Sequence, residues 1–463
     1  MRKNGVYFGE VLGYGTEGEG ILNVEGTTAF VPFCLKGEQI AFKALKVKGN
    51  IAYGKIEEIL LPSGMRTESP CPVFEKCGGC DLQHMEYSEQ LEFKKGLVES
   101  ALKKLGGIYA AVNGVIPCEK QFRYRNKLSL PIGVDVQGNT VLGFYARHSH
   151  RIVSADDCLI QSEWVKSIIA AVEKYARVCG LKGYDELSRK GELRHIVVRE
   201  VKGKFIIALV ATRRINAEFL IKELEKSLKE FSFLLNINSS PTNVIFSNEW
   251  HICRGDGFFG AEDCGIKYKA GAETFLQVND GVREKLYSAV LEEVAKENSV
   301  AIDLYSGGGM LTAMLARACG RAYGVEIVKE ASRCADELRD INGLQGRMFN
   351  ICGPVEEKLD EVFEATEGCG RIIVCDPPRK GMERSVVRKI AQSGADKIIL
   401  ISCNPATLAR DLGLLCGTLA ENEGGALVKV APQDSPYEIL SITPFDMFPQ
   451  TKHVETLVLL QRK

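Results

Sequence analysis

The chain of 463 residues has no excess of charge of either sign. Lys and Arg total 59 and Asp and Glu total 60, which gives a formal net charge of -1 at pH 7. Overall basicity therefore cannot supply nucleic-acid binding, and any such binding must come from local basic patches. Hydrophobic residues make up 45% and charged residues 26%, as in ordinary globular proteins, which argues against a disordered or fibrous chain.

Long hydrophobic runs are also missing. The opening MRKNGVYFGEVLGYG has no apolar stretch of the roughly 7 to 15 residues that a signal peptide needs, and no later run approaches about 18 apolar residues. We therefore expect a cytoplasmic protein with no membrane partner. The 16 cysteines agree with a reducing compartment, because a disulfide scaffold suits a much shorter secreted chain.

No repeat or low-complexity tract is visible, and the length predicts two or three domains. Residues 1–60 form short alternating segments cut by glycines, which is typical of a small β-barrel. Residues 61–285 mix helical and strand patterns and predict an α+β domain. Residues 286–463 alternate strands with helices, which predicts an α/β layer with a mostly parallel sheet. The expected fold class is thus a multidomain α/β protein.

A group of cysteines indicates a metal site. Cys71, Cys77 and Cys80 lie in CPVFEKCGGCDLQH, where the glycines let the backbone fold tightly. Three thiolates need a fourth ligand, and the best-placed candidate is Cys158 in SADDCLIQ. A tight triplet with one remote cysteine favours an iron-sulfur cube over zinc, whose sites more often use paired knuckles. Zinc and the absence of any metal remain alternatives.

A basic and aromatic stretch runs from Glu119 to Arg151. It contains six bases against two acids, with four aromatic residues interleaved. The bases are Lys120, Arg123, Arg125, Lys127, Arg147 and Arg151, and the aromatic residues are Phe122, Tyr124, Phe144 and Tyr145. Cations bind phosphates and aromatic faces stack on unpaired bases, which is a combination used for single-stranded RNA. The alternative is a solvated strand pair whose aromatic residues face a core.

A nucleotide-type site is predicted around IDLYSGGGMLT. A buried strand ends near Asp303 and Tyr305, three glycines make the turn, and a helix begins, so backbone amides would face a ligand. Glu326 in GVE ends the next strand, where a carboxylate can bind both hydroxyls of a ribose. It could instead be a helix-capping acid. The larger Thr312 replaces the third small residue of dinucleotide sites, which favours S-adenosylmethionine over NAD.

Cys403 in LISCNPATLARDL is a candidate nucleophile. The strand KIILIS ends there, Asn404 can cap the following helix and Pro405 suits its first turn. We expect the helix dipole to lower the pKa of the thiol. Asp376 in VCDPPRKG ends the preceding strand and is expected on the same rim of the sheet, where open α/β folds bind ligands. The alternative is a buried cysteine at a strand end.

Together these motifs resemble a known family, the S-adenosylmethionine-dependent RNA (uracil-5-)-methyltransferases. The resemblance is to the bacterial branch that carries an N-terminal TRAM barrel and an iron-sulfur cluster and modifies 23S ribosomal RNA. It covers nearly the whole chain and rests on the barrel, the four cysteines, FLQVN, DLYSGGG, GVE, DPPRKG, SCNP and DMFPQTKHVETLVLL. One departure is Ser306, where many members have cysteine.

The resemblance implies roles for individual residues. Cys403 would be the nucleophile and Glu455 the general base, with His453 as the only nearby alternative base. The residues implied to contact S-adenosylmethionine are Gln277, Tyr305, Glu326 and Asp376. Cys71, Cys77, Cys80 and Cys158 would ligate a 4Fe-4S cluster, and Phe275 would lie near the target base. The partner would be 23S ribosomal RNA rather than tRNA, bound by a monomer.

Two other functions are weighed against this one. An NAD-linked oxidoreductase would use the glycine loop but would leave Cys403, Glu455 and the basic stretch without roles. A catalytically silent RNA-binding or redox-sensing protein would use the barrel and the cluster. The presence of both a nucleophile and a base argues against it.

Overall fold

A computed structural model describes residues 1–135, 137–294, 299–431 and 435–463. Within them the chain forms three large sheets in sequence order, one of six strands and two of seven. No helix of the described residues is long and apolar enough to cross a membrane.

The N-terminal sheet contains the strands that the alternating pattern predicts. They are β1 (Val6–Glu10), β2 (Gly13–Tyr14), β3 (Gly20–Val24), β4 (Thr27–Val31), β5 (Gln39–Lys48) and β6 (Ile51–Leu61). The strand order is β1-β5-β6-β4-β3-β2. The sheet curls strongly, since the amide of Leu12 after β1 donates to the carbonyl of Ile21 in β3 at 2.8 Å. Its apolar side chains, among them Leu22 and Phe42, form a core of their own.

The central part begins with helix α1 (Tyr87–Ala101), which continues into a π-helical turn, Leu102–Gly106. Its sheet has the order β13-β12-β11-β10-β7-β8-β9. These strands are β7 (Lys127–Val134), β8 (Thr140–Tyr145), β9 (Ile152–Ser154), β10 (Leu193–Val201), β11 (Lys204–Ala211), β12 (Phe231–Ile237) and β13 (Trp250–Arg254). Helices α2 (Val165–Cys179) and α3 (Glu218–Leu224) pack on it. The run AEFLIKELEKSLKEF has an amphipathic pattern that predicts a helix as far as Phe231, but α3 ends at Leu224 and Phe231 starts a buried strand that pairs with β11.

A hairpin and a helix lead into the C-terminal part. The hairpin consists of β14 (Phe258–Asp263) and β15 (Ile266–Gly271), and the helix is α4 (Asp280–Val294). One apolar cluster joins the central and C-terminal sheets, with Ile206 and Leu234 from the first and Ile372 and Ile399 from the second. The connection from β15 to α4 therefore lies between the two sheets.

The C-terminal sheet has the order β18-β17-β16-β19-β20-β24-β23. Its strands are β16 (Val300–Leu304), β17 (Ala322–Glu326), β18 (Met348–Cys352), β19 (Arg371–Cys375), β20 (Lys397–Ser402), β23 (Tyr437–Phe445) and β24 (Glu455–Arg462). The helices are α5 (Met310–Cys319), α6 (Lys329–Ile341), α7 (Val355–Ala365), α8 (Arg384–Gln392) and α9 (Pro405–Leu415). A small hairpin, β21 (Leu419–Glu421) with β22 (Leu427–Lys429), follows α9. The mostly parallel sheet is confirmed, with only β23 and β24 antiparallel among its described strands.

Candidate active site at the edge of the C-terminal sheet

Five predicted site residues lie at one edge of the C-terminal sheet. In order along that edge they are Glu326 at the end of β17, Tyr305 after β16, Asp376 after β19, Cys403 after β20 and Glu455 at the start of β24. Strand β24 runs antiparallel to β20, with Ser402 opposite Thr456, so its first residue meets the carboxyl ends of the parallel strands. Such an edge is where open α/β sheets bind ligands.

The glycine loop after β16 has a backbone that restricts its sequence. Tyr305 and Gly309 adopt left-handed φ angles of 66° and 81°. A side chain at Gly309 would place its Cβ 2.7 Å from the Cβ of Ala335, so only glycine fits. The Gly307 amide donates to Glu326 Oε2 at 2.9 Å, which ties the loop to the next strand.

Glu326 is also bonded to the segment that follows it. Its Oε1 accepts the Val328 amide at 2.7 Å, just before α6 begins. The carboxylate thus has a structural role of the kind that the capping alternative describes. Each carboxylate oxygen can accept more than one hydrogen bond, so the same group remains able to accept ribose hydroxyls.

A pocket opens beside the glycine loop. Its lining includes Phe275, Tyr287, Tyr305, Ser306, Gly308 and Asp376. Phe275 is 70% exposed, so its ring is available to a ligand. Gln277 and Glu326 do not line this pocket. Gln277 is buried between β15 and α4, where its carbonyl accepts from Asn126 Nδ2 at 3.2 Å.

Asp303 forms part of the same pocket and is only 1% exposed. Thr312 Oγ1 donates to its carboxyl group at 2.5 Å. Burial raises the pKa of Asp303 to about 7, and the nearby carboxylate of Asp376 adds to the rise. Thr312 lies where dinucleotide sites have a third small residue, and its hydroxyl bonds the carboxyl group of Asp303 near the end of β16.

A second groove contains Cys403. It is lined also by Thr16 and Glu17 from the N-terminal sheet and by Arg379 and Lys452. Asn404 caps α9 as predicted, since its Oδ1 accepts the Ala406 amide at 3.0 Å. Cys403 thus faces a cleft between the first and last parts of the chain.

The expected low pKa of Cys403 is wrong. The pKa of this thiol is raised to about 11, mainly by burial, with the carboxylates of Glu455 and Asp376 contributing to the rise and Arg379 opposing it. The start of α9 does not outweigh desolvation and two neighbouring acids. In the free chain Cys403 is therefore a neutral thiol at neutral pH.

Glu455 is 3% exposed. Burial raises its pKa well above the usual value, and the neighbouring carboxyl group of Asp376 adds to this rise, with Arg379 acting in the opposite direction. Burial lowers the pKa of His453 to about 4, so its imidazole is a weak base. A raised pKa makes Glu455, once ionised, the stronger base of the two groups.

Three of the four predicted cysteine ligands share one apolar cluster, and the fourth, Cys77, lies close enough to affect the pKa values of Cys80 and Cys158. Cys80 is buried with Phe74, Tyr124 and Ile160, and Cys71 and Cys158 pack against them. The Gly79 amide donates to Cys77 Sγ at 3.3 Å, and all four thiols are free. Burial raises the pKa of Cys80 and brings that of Cys158 to about 11. In the described part of the chain, no three His, Cys, Asp or Glu side chains form a group that could hold a metal ion.

Two bases of the aromatic stretch support these cysteines. Arg123 binds both oxygens of Asp157 at 2.8 and 2.6 Å and the carbonyl of Cys158 at 3.1 Å. Arg147 binds Asp81 at 2.7 Å and the carbonyl of Cys80 at 2.7 Å. Both guanidinium groups are thus already paired, and the expectation that Arg123 contacts phosphate is corrected for this reason.

Lys127 differs from these two. It lies opposite Arg199 in the β7–β10 register. The pKa of Lys127 is lowered to about 8, mainly by burial, with the charges of Arg199 and Arg125 contributing. This concentration of positive charge favours an anionic ligand, so Lys127 remains a candidate phosphate contact.

Sequence reasoning missed Arg379 and Lys452, which line the Cys403 groove. Arg379 lies in DPPRKG, three residues after Asp376, and its place in the loop after β19 was a usable signal. Lys452 lies in the DMFPQTKHVE segment, where its charge alone gave no indication of its partner, Glu17.

The comparisons agree with this geometry. The family described as tRNA (Uracil-5-)-methyltransferase matches residues 357–463. A Clostridium tetani protein named as an RNA methyltransferase is 37% identical over 99% of this chain and 97% of its own length. A similarly named Clostridium acetobutylicum protein is 35% identical over 100% and 98%.

Among solved structures, the Pyrococcus abyssi tRNA (uracil-54, C5)-methyltransferase in complex with S-adenosyl-L-homocysteine has a TM-score of 0.76. It is 23% identical and covers 98% of this chain and 99% of its own, so the mixed α/β fold is shared over the whole length. The two Clostridium relatives are at least 35% identical over nearly their entire length, and with the matching family model they show that the chain belongs to the RNA (uracil-5-)-methyltransferase family.

Proposed function

We propose that the protein transfers a methyl group from S-adenosylmethionine to carbon 5 of uridine in RNA. The observation that carries the proposal is the position of Cys403 and Glu455 on neighbouring strands, at the sheet edge that also carries the glycine loop. A thiol and a carboxyl group are the two groups that this substitution needs, and the loop offers a cofactor pocket beside them.

The proposed reaction uses each group once. The thiol of Cys403 first loses its proton to solvent, and the thiolate then adds to carbon 6 while the electron pair of the carbon 5–carbon 6 double bond moves into an enolate. Carbon 5 then takes the methyl group, and the sulfonium sulfur keeps the electron pair of the broken bond. Glu455 removes the proton from carbon 5, the double bond re-forms, and the carbon–sulfur bond breaks with its pair returning to Cys403. Arg379 would stabilise the thiolate that the free chain disfavours.

We assign the S-adenosylmethionine contacts to Tyr305, Glu326, Asp376 and Gln277. Tyr305 and Asp376 line the pocket beside the glycine loop, and Glu326 ends the adjacent strand. The Pyrococcus abyssi neighbour, which binds S-adenosyl-L-homocysteine, supports a ligand of this class. Gln277 is the least directly supported, since it is buried next to the pocket and does not line it.

The proposal is tested by two variants with different outcomes. Cys403→Ala should bind RNA but give neither product nor a covalent complex. Glu455→Gln should methylate carbon 5 and then stall, so a methylated protein–RNA adduct that survives denaturation should accumulate. Normal turnover by Glu455→Gln with adduct formation by His453→Ala would exchange the two roles. Methylation of uridine by Cys403→Ala would overturn covalent catalysis by this residue.

We also propose that Cys71, Cys77, Cys80 and Cys158 hold a 4Fe-4S cluster. Four free thiols, three of them in one apolar cluster and the fourth, Cys77, accepting the Gly79 amide, are a suitable donor set. A cube spreads its ligands around four irons, so their sulfurs lie farther apart than around one ion. When bound, it would cross-link the two cysteine segments, and methyl transfer needs no electrons from it.

Protein purified without oxygen should be brown and hold about four irons per chain. Cys77→Ser should lose the iron, whereas Cys179→Ser, at an exposed thiol outside the group, should keep it. One zinc per chain with no acid-labile sulfide would reject the assignment.

For the RNA target we propose 23S ribosomal RNA, modified in the cytoplasm by a monomer whose strands β1–β6 form an RNA-binding TRAM barrel. The basis is the combination of a curled N-terminal sheet with a cysteine group. The alternative is tRNA, favoured by the names of the matching family and of the Pyrococcus abyssi enzyme, which has the same fold over 98% of this chain. Radiolabelled methyl transfer to ribosomal RNA and tRNA from cells that lack the enzyme decides between them.

A further inference from the structure

The connection from β23 to β24 is buried and polar along most of its length. It covers residues 446–454 and ends at Glu455. Asp446, Gln450 and Thr451 are at most 4% exposed. Gln450 also has a left-handed φ of 69°. Because buried polar groups need partners, the contacts of this connection determine where Glu455 begins its strand.

Helix α1 supplies one set of partners. Lys94 Nζ forms a fully buried ion pair with Asp446, and Tyr87 Oη donates to the same carboxylate at 2.7 Å. Gln90 both accepts from and donates to Gln450. The Oε1 of Gln90 accepts the backbone amide of Gln450 at 3.1 Å, and the Nε2 of Gln90 donates to the side-chain Oε1 of Gln450 at 3.0 Å.

The cysteine-bearing loop supplies the other set. The amides of Asp81 and Leu82, directly after Cys80, donate to the Gln450 carbonyl at 2.9 and 3.0 Å. Asp81 Oδ2 accepts the Lys452 amide at 3.2 Å. Tyr124, which packs against Cys80, donates its hydroxyl to the Pro449 carbonyl at 3.1 Å.

We infer that helix α1 and the cysteine-bearing loop position the general base, with Gln90 and Tyr124 as positioning residues for Glu455. The inference rests on the proposed role of Glu455. Helix α1 and the cysteine-bearing loop are far from Glu455 in the sequence. Together with Tyr124 they bond the turn at Pro449 and Gln450, which lies five or six residues before Glu455. A base displaced by a fraction of an ångström loses alignment with the carbon 5 proton, so loosening this turn slows proton removal more than it affects RNA or cofactor binding.

The test compares two tyrosine variants that each lose one buried hydroxyl–carbonyl hydrogen bond. Tyr124→Phe loses the bond to Pro449. Tyr175→Phe, the control, loses a 2.6 Å bond to the Asn216 carbonyl within the separate apolar core of helices α2 and α3. A third variant, Gln90→Met, removes both bonds to Gln450 at similar side-chain volume. Each is measured in single turnover for adduct formation, product release, and RNA and S-adenosylmethionine affinity.

Tyr124→Phe and Gln90→Met should form the adduct at the normal rate but release product roughly two- to tenfold more slowly. The methylated adduct should therefore accumulate with both affinities within about twofold of wild type. Tyr175→Phe should release product normally. If Gln90→Met does not fold, Tyr124→Phe against Tyr175→Phe decides the question.

Equal release rates for Tyr124→Phe and Tyr175→Phe would overturn the inference, as would a loss of RNA affinity that accounts for the slower turnover. The Glu455→Gln variant distinguishes a failure of the positioning role from a failure of Glu455 as the proposed base. If it accumulates adduct while Tyr124→Phe does not, only the positioning role fails. If Glu455→Gln also accumulates none, the proposed base itself is wrong.

Discussion

The Asp303 carboxyl group should make the folded protein less stable as the pH rises. It is 1% exposed at the end of β16, and its hydrogen-bond partner is the hydroxyl of Thr312 rather than a cation. Burial raises its pKa from the usual 3.8 to about 7. Between pH 4 and 7 the folded chain thus holds a proton that the unfolded chain has released. Stability is fully present below about pH 4 and declines until about pH 7.

The size of this effect follows from the shift. A difference of about three pKa units corresponds to about 4 kcal/mol, at roughly 1.4 kcal/mol per unit. Asp303→Asn has no proton to lose, and its amide oxygen can still accept the Thr312 hydroxyl. The variant should therefore be more stable than wild type at pH 8, by up to about 4 kcal/mol, and nearly equal to it at pH 4.

Hydrogen exchange of the peptide that contains β16, measured at pH 5 and pH 8 with correction for the intrinsic rate, reports this part of a multidomain chain. Asp446→Asn is the matched control, because Asp446 is equally buried but is paired with Lys94. Asp446→Asn should destabilise the protein at both pH values, because it removes the charge that pairs with the buried Lys94. Equal protection of wild type and Asp303→Asn at pH 8 would refute the reasoning.

Glu326→Gln should weaken S-adenosylmethionine binding by about 10- to 150-fold per lost charge-assisted bond while RNA affinity is kept, as measured by calorimetry. Unchanged cofactor affinity would mean that Glu326 only ties the glycine loop to α6. Lys127→Met should reduce the log–log salt slope of RNA binding by about 0.7, whereas Arg123→Met should keep the slope and lower stability, because Arg123 is paired with Asp157. The reverse pattern in salt titrations would contradict these assignments.

Sequence patterns predicted the strands and helices that are strongly apolar or amphipathic. The runs YSEQLEFKKGLVESALKKLG and SEWVKSIIAAVEKYARVCG have the period of amphipathic helices and contain α1 and α2. The run HIVVREVKGKFIIALVAT has the pattern of a hairpin and contains most of β10 and β11. Strand β18 and helix α7 were not predicted. Strand β18 lies at the edge of the sheet and only Met348 in it is buried, so its sequence lacks the apolar run of the central strands.

The positions of the site residues were more predictable than their electrostatics. The placement of Asp376 and Cys403 at one rim follows from parallel strands, which the alternation of elements indicates. The pKa of Cys403 depends on Glu455, which lies more than fifty residues away in sequence, and on burial by the fold. In the same way, no local pattern shows that Arg123 is paired with Asp157 rather than free for phosphate.

The charge at the sheet edge bears on both binding and release. Asp303, Asp376 and Glu455 all have raised pKa values because they are buried near one another, and Arg379 opposes this rise only at Glu455. If S-adenosylmethionine binds as proposed, its sulfonium cation enters beside these acids and favours their ionised forms. That includes the form of Glu455 that can accept a proton. Methyl transfer turns the sulfonium into a neutral thioether, which removes this attraction. The acids then favour the bound reactant over the spent cofactor, so the same charges that prepare the base also favour product exchange.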